Sequence, residues 1–341
     1  MCLLSSTNVM TYDYTKKSLT TKPEKIQMKL LIKARNILTV TLLIFISMHS
    51  KNPISQSCHS AKANKFAQDS EILQSLTNKK AKFERLLIVV IPSYNNKDWY
   101  TINLASVFAQ KYTNYHVIYT DDASTDGTGD LVEQYVKAMK MEHKVSLIRN
   151  KERLGPLANR YYPIHSCPDH AIIVNLDGDD WFFRDDVLSI INSAYEDPSI
   201  WLTYGQFINW PTNQRGYGNS IPDAVIKNRS FREQNKWVLG QPRTFYAWLF
   251  KQIKIDDLME NGHFFTASTD VAMMMPLMEM VGENFLFIPD IVYQRNVATE
   301  LNVFKVARKT QRQNWNIIMN KAKYARIKNL PFDALKDAIR S

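Results

Sequence analysis

The sequence is poor in cysteine, which accounts for three of its 341 residues. Cys2, Cys58 and Cys167 are too few and too scattered for a disulfide framework or a structural zinc site. Cys58 and Cys167 could still form one disulfide if the protein is exported. Two nucleotide-binding signatures are also missing, since no Gly-x-Gly-x-x-Gly follows the first predicted strand and there is no Walker A sequence. The pattern therefore supports neither a nicotinamide site nor a P-loop.

Long apolar runs are lacking as well, and the run near the N-terminus, residues 37–48, has 12 residues without a charge. A membrane-spanning helix needs roughly 20 apolar residues. Behind Lys29, Lys33 and Arg35 the run is typical of the hydrophobic region of a signal sequence. We therefore predict a leader over residues 1–60 that leads to export or, if it is retained, anchors the chain to a membrane. A buried core helix is the alternative.

The net charge of +10 is concentrated at the two ends of the chain. Residues 1–85 carry 14 Lys and Arg against 5 Asp and Glu, and residues 303–341 carry 10 against 2. Residues 86–302 therefore have a net charge of −7. This argues against nucleic-acid binding by the central part, whereas the basic ends suit an anionic membrane surface.

The two flanking segments have helical patterns. Residues 61–85 mix Lys, Ala, Gln and Leu with spaced apolar residues, which predicts a polar helical stem or linker. Residues 303–341 are predicted to be a basic helical tail, amphipathic over 303–328, with a solvated or membrane-facing surface.

Between these flanks, apolar runs alternate with helical patterns. Predicted strands cover residues 86–91, 116–120, 145–148 and 171–176, and helical segments separate them. This alternation predicts an α/β fold with a mostly parallel central sheet flanked by helices. Each strand is followed by polar residues, and ligands of such sheets bind at the carboxyl ends of the strands. The polar segments after the four strands are therefore expected to share one rim.

The last of these segments, Asp177-Gly178-Asp179-Asp180, places three carboxylates directly after a buried strand. Carboxylates so close together repel one another unless a cation lies between them. Mg²⁺ and Mn²⁺ prefer oxygen ligands, and Mg²⁺ usually takes one or two carboxylates together with substrate phosphates. The pattern fits a divalent metal site, and a solvated acidic turn is the alternative.

Taken in order, these segments resemble the motifs of the family 2 glycosyltransferases, which have the GT-A fold. They are IPSYNN at 91–96, DDASTDGT at 121–128, the segment 150–160 and DGDD at 177–180. The resemblance covers residues 86–302. It implies a single catalytic domain with a nucleotide-binding half over 86–200 and an acceptor half over 201–302.

The resemblance also implies roles for individual residues. Tyr94 would pack against the nucleotide base, and Asp122 would receive the base or ribose. Asp179 would hold the Mn²⁺ or Mg²⁺ that bridges the donor diphosphate. Asp177 would lie near the ribose and is the second candidate ligand of the metal, and Arg295 would contact phosphate. The full set implied on the donor side is Pro92, Tyr94, Asn96, Asp121, Asp122, Asn150, Gly155, Asn159, Asp177 and Arg295.

The resemblance further implies an Asp or Glu before a downstream helix, which would deprotonate the acceptor hydroxyl in an inverting transfer. Asp270 fits this position, and a helix cap is its alternative role. Two departures are present: Thr269 replaces the expected Glu, and no histidine stands in residues 293–296. Residues 311–315 only partly match the QxxRW signature of processive synthases, because Asn314 replaces its arginine, and no long apolar segment follows. A non-processive enzyme is therefore expected.

The segment 201–265 is rich in aromatic residues and is expected to shape the acceptor site. Aromatic rings stack on sugars, but they also fill protein cores. Trp210 and Trp248 are the aromatic candidates for acceptor contact, and Arg243 is the candidate for an anionic group.

The predicted function is transfer of one hexosyl or related sugar from a nucleotide donor to a hydroxyl of a glycan, lipid or glycoprotein. A catalytically silent nucleotide- or carbohydrate-binding module with the same fold is the first alternative, motivated by the two departures. A sugar nucleotidyltransferase is the second, although residues 92–96 lack the Gly-rich triphosphate loop expected of that class.

Overall fold

The computed structural model describes residues 83–234, 236–299 and 308–332. All of them belong to one compact unit. The predicted leader, most of the predicted stem and Cys58 lie outside the described residues. Of the stem, residues 83–85 are described, and they are not helical. Arg85 is already buried, and its backbone N–H donates to Asn192 Oδ1 at 3.1 Å.

Eight strands of the described chain form one sheet. Their bounds are β1 Leu87–Ser93, β2 Tyr115–Asp121, β3 Val145–Arg149, β4 Ile172–Asn175, β5 Trp181–Phe182, β6 Leu202–Trp210, β7 Arg243–Tyr246 and β10 Phe285–Asn296. Their order in the sheet is β3-β2-β1-β4-β7-β6-β10-β5. A short hairpin of β8 (Met259–Glu260) and β9 (His263–Phe264) forms a second sheet.

The four strands predicted from the sequence, β1 to β4, form the parallel half of this sheet. Beyond it, β7 runs antiparallel to both β4 and β6, and β10 pairs with β6 in parallel. Every residue of β1 and β4 is buried, which explains why both segments are continuously apolar rather than alternating. The predicted α/β fold with a mostly parallel central sheet is confirmed.

Helices connect the strands and cover the sheet. They are α1 Tyr100–Phe108, α2 Thr128–Ala138, α3 Ala158–Ser166, α4 Val187–Ala194, α5 Asp223–Asn228, α6 Ala247–Lys251, α7 Thr269–Val281 and α8 Arg308–Asn320, with a 3₁₀ turn at Ile255–Leu258. No helix in the described ranges is long and apolar enough to cross a membrane.

The C-terminal tail differs from the sequence prediction. Helix α8 ends at Asn320, and residues 321–332 continue without a helix. Part of α8 is packed on the domain, since Asn314 and Ile318 are buried. Two hydrogen bonds from backbone N–H groups fix the segment after it: Tyr324 N–H donates to the Glu279 side chain (Oε2, 3.0 Å), and Ile327 N–H donates to the Met280 carbonyl (2.9 Å). Residues 303–328 were expected to form a solvated or membrane-facing amphipathic helix, but residues 321–328 are not helical and α8 is partly buried.

Candidate active site

The acidic loop that follows β4, residues 177–180, is held tightly against the end of β1. A Cβ added to Gly178 would lie 2.9 Å from the Pro92 carbonyl oxygen and 2.7 Å from Asn96 Nδ2, so only glycine fits here. From α1, Asn103 Nδ2 donates to the carbonyl oxygens of Asp177 (2.9 Å) and Asp180 (2.7 Å). The backbone of the loop is therefore fixed from two sides. The role of Asn103 was not predicted, since an asparagine within a helix carries no distinctive pattern.

Asp180 has a structural role in this loop. Its carboxylate is buried and accepts a hydrogen bond from the Tyr293 hydroxyl (2.7 Å) and another from the Asn296 backbone N–H (2.6 Å). Burial, with the neighbouring charges of Asp179 and Asp177, holds the pKa of Asp180 well above its ordinary value. Asp180 thereby links the acidic loop to the end of β10.

Asp179 is half-buried and faces the cavity. Burial is the main cause that raises the pKa of this carboxyl to about 7, and the charge of Asp177 adds to it. The cationic side chains of Arg295 and Arg160 offset only part of this increase. A carboxylate that is destabilised in this way gains from a cation placed beside it.

Asp177 lies beside Asp179 but already has a cationic partner. Its Oδ1 accepts a hydrogen bond from Arg160 Nη2, an ion pair in which the arginine side chain is buried. Its Oδ2 lies 3.5 Å from Gln241 Nε2. Asp179 is therefore the less satisfied of the two acids that face the cavity at this loop.

The described residues contain no group of three or more His, Cys, Asp or Glu side chains that could hold a metal ion. A preformed all-protein metal site is thus not present in this part of the chain. Asp179 and Asp177 do fit the simpler arrangement in which one or two carboxylates share an ion with the phosphates of a ligand. The destabilised carboxylate of Asp179 agrees with this chemistry.

Asp122, at the end of β2, is enclosed by donors. Its Oδ1 accepts hydrogen bonds from Asn150 Nδ2 (2.9 Å) and from the Leu154 N–H (2.8 Å), and its Oδ2 accepts one from the Gly155 N–H (2.9 Å). Burial alone would raise the pKa of Asp122, but these bonds and one from Asn159 outweigh it and lower the pKa below its usual value. The φ of +88° at Gly155 suits glycine and lets its N–H point at the carboxylate.

Three predicted residues, Asn150, Gly155 and Asn159, act on the Asp122 carboxylate. Asn159 lines the cavity, whereas Asn150 and Gly155 donate to Asp122 without lining it. Asn150 Nδ2 also donates to Asn159 Oδ1 at 2.7 Å, which holds in place the Asn159 amide that lowers the pKa of Asp122.

Pro92, Tyr94 and Asn96 line the same part of the cavity, as predicted for the loop after β1. The guanidinium of Arg153 stacks on the Tyr94 ring, with its central carbon 3.8 Å from the ring centroid. Asn96 is buried, and its amide donates to Ser93 Oγ at 3.0 Å. The contribution of Arg153 was not predicted, because a single arginine in an exposed loop gives no motif.

The structure corrects the prediction for Asp121, which does not line the cavity. It is the last residue of β2, and its buried carboxylate lies against Gly129, where an added Cβ would be 2.7 Å from Asp121 Oδ2. Consecutive side chains of a strand point to opposite faces. Only one of the two adjacent acids can therefore face the cavity, and it is Asp122.

Asp270 lies in the first turn of α7 and lines the cavity. Its Oδ2 accepts a hydrogen bond from Arg243 Nη2 at 3.1 Å, and its Oδ1 accepts one from the Val271 N–H at 3.0 Å. Arg243 is buried and also donates to the Leu239 carbonyl from Nε and Nη2. The helix cap that was the alternative role of Asp270 is occupied by Ser268, which makes no side-chain capping bond.

One cavity of about 1060 Å³ is lined by Pro92, Tyr94, Asn96, Asp122, Asn159, Asp177, Asp179 and Asp270. The predicted Arg295 and Arg243 also line it. The side near Asp270 is completed by Lys236, Trp237 and the part of α8 that we call the helical wall, which consists of Arg308, Gln311, Arg312 and Trp315. The helical wall was not predicted, because residues 303–328 were interpreted as an outer surface.

The predicted acceptor contacts of Trp210 and Trp248 are not supported by their positions. Trp210 packs with Trp99 (ring centroids 5.4 Å apart) and Trp181 (5.7 Å), and neither Trp210 nor Trp248 lines the cavity. Trp248 lies edge-on to Phe332. The aromatic residues that line the cavity on this side are Tyr217, Trp237 and Trp315.

Two curated proteins illustrate the similarity of the chain to known sequences. Glycosyltransferase GlyA of Streptococcus pneumoniae is 26% identical over 194 residues, which are 52% of this chain and 27% of that protein. Poly(ribitol-phosphate) beta-glucosyltransferase of Bacillus spizizenii is 30% identical over 174 residues, which are 49% of this chain and 26% of that protein. The match thus spans well under half the length of either relative.

A solved structure shows the same fold. The mannosyltransferase PcManGT from Pyrobaculum calidifontis, in complex with GDP-Man and Mn²⁺, aligns with 78% of this chain and 76% of its own at 18% identity and a TM-score of 0.50. This likeness confirms the predicted GT-A fold. The family model described as glycosyl transferase family 2 matches residues 88–265, more than half of the chain, and the chain therefore belongs to glycosyl transferase family 2.

Proposed function

We propose that the chain transfers a single sugar from a nucleoside-diphosphate donor to a hydroxyl acceptor with inversion at the anomeric carbon. The observation that carries this proposal is the shared cavity, in which the acidic loop, Asp122 and Asp270 face one space of about 1060 Å³. Ligand sites of enzymes are concave and combine a few polar groups in this way. The residues divide into a group suited to a nucleotide and a group suited to an acceptor.

The nucleotide half of the donor would lie between Tyr94 and Asp122. The Tyr94 ring, with Arg153 stacked on it, offers a flat surface for a base. Asp122 stays ionised because its pKa is lowered, so that its carboxylate can accept a hydrogen bond from a ribose hydroxyl or a base N–H. Asn159, whose amide acts on Asp122, lines the same region.

Asp179, assisted by Asp177, would hold Mn²⁺ or Mg²⁺. When bound, such an ion neutralises the charge that develops on a leaving diphosphate. Arg295 and Arg160, whose charges act on Asp179, would contribute to the same region. The Mn²⁺ and GDP-Man bound to PcManGT support this proposal, as a protein of the same fold.

Asp270 would act as the general base. As the acceptor oxygen forms its bond to the anomeric carbon, the bond from that carbon to the donor phosphate oxygen breaks and the hydroxyl proton passes to the Asp270 carboxylate. Arg243 orients this carboxylate through the 3.1 Å hydrogen bond. Attack from the side opposite the leaving group inverts the configuration.

The proposed reaction is non-processive. Asn314, which replaces the arginine of the QxxRW signature, is buried, and its Nδ2 donates to the Ala267 carbonyl at 3.1 Å. Its role is to fasten α8 to the domain.

We propose residues 86–302 as the catalytic domain, with the acceptor on a glycan, lipid or glycoprotein. The leader would anchor the chain to a membrane or lead to its export, and the basic ends would bind an anionic membrane surface.

Donor turnover tests this proposal. The full chain is incubated with UDP-, GDP- and dTDP-sugars, with and without Mn²⁺, and the release of nucleoside diphosphate is measured. We expect release with one donor class, dependent on Mn²⁺, with water taking the place of the acceptor hydroxyl, and early proton NMR spectra should show the freed sugar with inverted anomeric configuration. Nucleotide binding without any release would favour the silent binding module, and absence of nucleotide binding would contradict the proposal.

A further inference from the structure

The side of the cavity next to Asp270 carries positive charges that have no assigned role in binding the proposed donor. We propose that the acceptor is an anionic polymer, a saccharide or polyol chain whose units carry phosphate or carboxylate groups. This inference rests on the proposed function and specifies its acceptor. The groups that carry it are Lys236 and the two arginines of the helical wall, Arg308 and Arg312.

The spacing of the helical wall explains how α8 presents these charges. Residues 308, 311, 312 and 315 are separated by three or four positions, which places them on one face of a helix. All four line the cavity. The buried Asn314 and Ile318 lie on the side that packs on the domain. Arg308 and Arg312 are one helical turn apart and border the same opening.

Three contacts fix the helical wall beside the proposed base. The Ser268 hydroxyl donates to the Gln311 carbonyl at 2.8 Å, and Asn314 Nδ2 donates to the Ala267 carbonyl. Both partners are within three residues of Asp270. Trp315 also packs edge-on against Trp237, with ring centroids 5.8 Å apart. A hydroxyl presented to Asp270 therefore brings the rest of its molecule against this wall.

Lys236 and the two arginines of the helical wall differ from the other cations of the site. Arg160 is paired with Asp177, and Arg243 with Asp270. Within the described ranges, no Asp or Glu forms an ion pair with Lys236, Arg308 or Arg312. Each of the three is solvent-exposed as well as lining the cavity, so an arriving ligand can reach it.

Like charges collected around one opening repel each other, and an anion relieves that repulsion. In the proposed function the donor diphosphate lies instead beside Arg295 and Arg160, whose charges act on Asp179. Arginine binds phosphate and carboxylate through paired hydrogen bonds, and lysine binds them as a point charge. A chain with several anionic units would engage two or three of these cations at once.

Binding of defined probes tests the inference. The full chain, with a nucleoside diphosphate and Mn²⁺ present, is titrated by calorimetry with a short poly(glycerol phosphate), an oligogalacturonate and a neutral malto-oligosaccharide of equal length. We expect at least one anionic probe to bind about tenfold or more tightly than the neutral one at low salt, as hydrogen bonds to charged groups imply. The advantage should shrink in high salt. Comparison of the two anionic probes distinguishes phosphate from carboxylate.

Matched variants locate the effect. Arg312→Gln and Lys236→Gln should each weaken the anionic probe about tenfold, with the loss in polyanion affinity and not in nucleotide affinity. Lys309→Gln removes a charge from the same helix outside the cavity lining and should leave binding of the polyanion unchanged. Nucleotide binding, measured separately, shows whether a failure belongs to the proposed function or only to this inference.

Four results would overturn the inference. They are equal binding of anionic and neutral probes, an equal loss with Lys309→Gln, a loss of nucleotide affinity as large as that of the polyanion in Arg312→Gln, and variants that weaken binding only to vesicles containing anionic lipid. The third result would show that the cations bind the donor, and the fourth would show that they bind a membrane surface.

Discussion

At the scale of single residues, the acids of the site are the same chemical group in different surroundings. Asp122 accepts hydrogen bonds from several donors, and its pKa is lowered. Asp179 has a pKa raised to about 7 by burial and by Asp177. Asp180, bonded to Tyr293 and Asn296, is structural. These environments come from residues up to 116 positions away in the sequence, so a motif predicts that an acid is present but not what it does.

Replacement of the proposed base tests its role. In Asp270→Asn the proton acceptor is lost, and we expect kcat to fall about 10²- to 10⁴-fold, the usual contribution of general base catalysis. The Kd of the nucleotide should stay within about twofold, because Asp270 lies on the side of the cavity that we propose for the acceptor. Asp223→Asn is the matched control, since Asp223 lies in the first turn of another helix, α5, outside the cavity lining. Full activity of a folded Asp270→Asn protein would refute the assignment.

Asp122 should make stability depend on pH in the acid range. Its pKa is lowered in the folded state, so the stabilisation is present at neutral pH and is lost as the pH falls through the unfolded and then the folded pKa. We expect Asp122→Asn to cost about 1 to 3 kcal/mol at neutral pH and clearly less at about pH 3. Urea unfolding at both pH values measures the difference. An equal cost at both values would show that ionisation of Asp122 does not matter.

At the scale of elements, the sequence predicts what local patterns determine. The strands β1 to β4 and the polar segments after them lie where alternation of apolar runs and helices places them. The positions of Asp121, Trp210 and α8 were not predicted correctly, since each depends on packing between distant segments. Asp121 lies against Gly129 and not at the cavity, Trp210 packs with two other tryptophans, and α8 is fastened to the loop before α7.

A buried ion pair joins the segment after α5 to α7, and the C-terminal segment bonds to the same carboxylate. Arg232 pairs with Glu279 at 2.5 Å, with side-chain exposures of 5% and 2%, and Glu279 also accepts the N–H of Tyr324. We expect Glu279→Gln to lower the free energy of unfolding by about 3 to 5 kcal/mol, because it leaves the Arg232 charge buried without its partner. Glu233→Gln, which breaks an exposed pair with Lys323, is the control and should cost no more than about 1 kcal/mol. Similar losses in the two variants, measured by urea unfolding, would contradict this account.

The close contact between Gly178 and the end of β1 constrains the whole acidic loop. In Gly178→Ala the added methyl group would press on the Pro92 carbonyl and on Asn96, and the acidic loop would have to move. We expect a loss of about 1 to 3 kcal/mol in stability, typical of overpacking, together with weaker nucleotide binding. Thermal unfolding and calorimetry measure the two effects. Wild-type stability and nucleotide affinity in this variant would show that the loop is not constrained as described.

At the scale of the whole molecule, the basic charges of the C-terminal segment have a second role beside the one that the sequence predicts. The basic C-terminal segment was interpreted as a partner for membranes, yet Arg308 and Arg312 line the cavity. The acidic centre and the basic tail thus form two sides of one site. Hydropathy and net charge could not predict this, because they do not record which face of α8 packs inward.

The central claim is that Asp179 couples a divalent metal to a nucleotide ligand. The most direct measurement is calorimetric binding of UDP and GDP to the full chain with and without Mn²⁺, for the wild type, Asp179→Asn and the exposed control Asp185→Asn. We predict that Mn²⁺ raises the affinity for one nucleotide about tenfold or more in the wild type and in Asp185→Asn, and that this gain disappears in Asp179→Asn. An undiminished Mn²⁺ effect in Asp179→Asn, or no nucleotide binding by the wild type, would contradict the account.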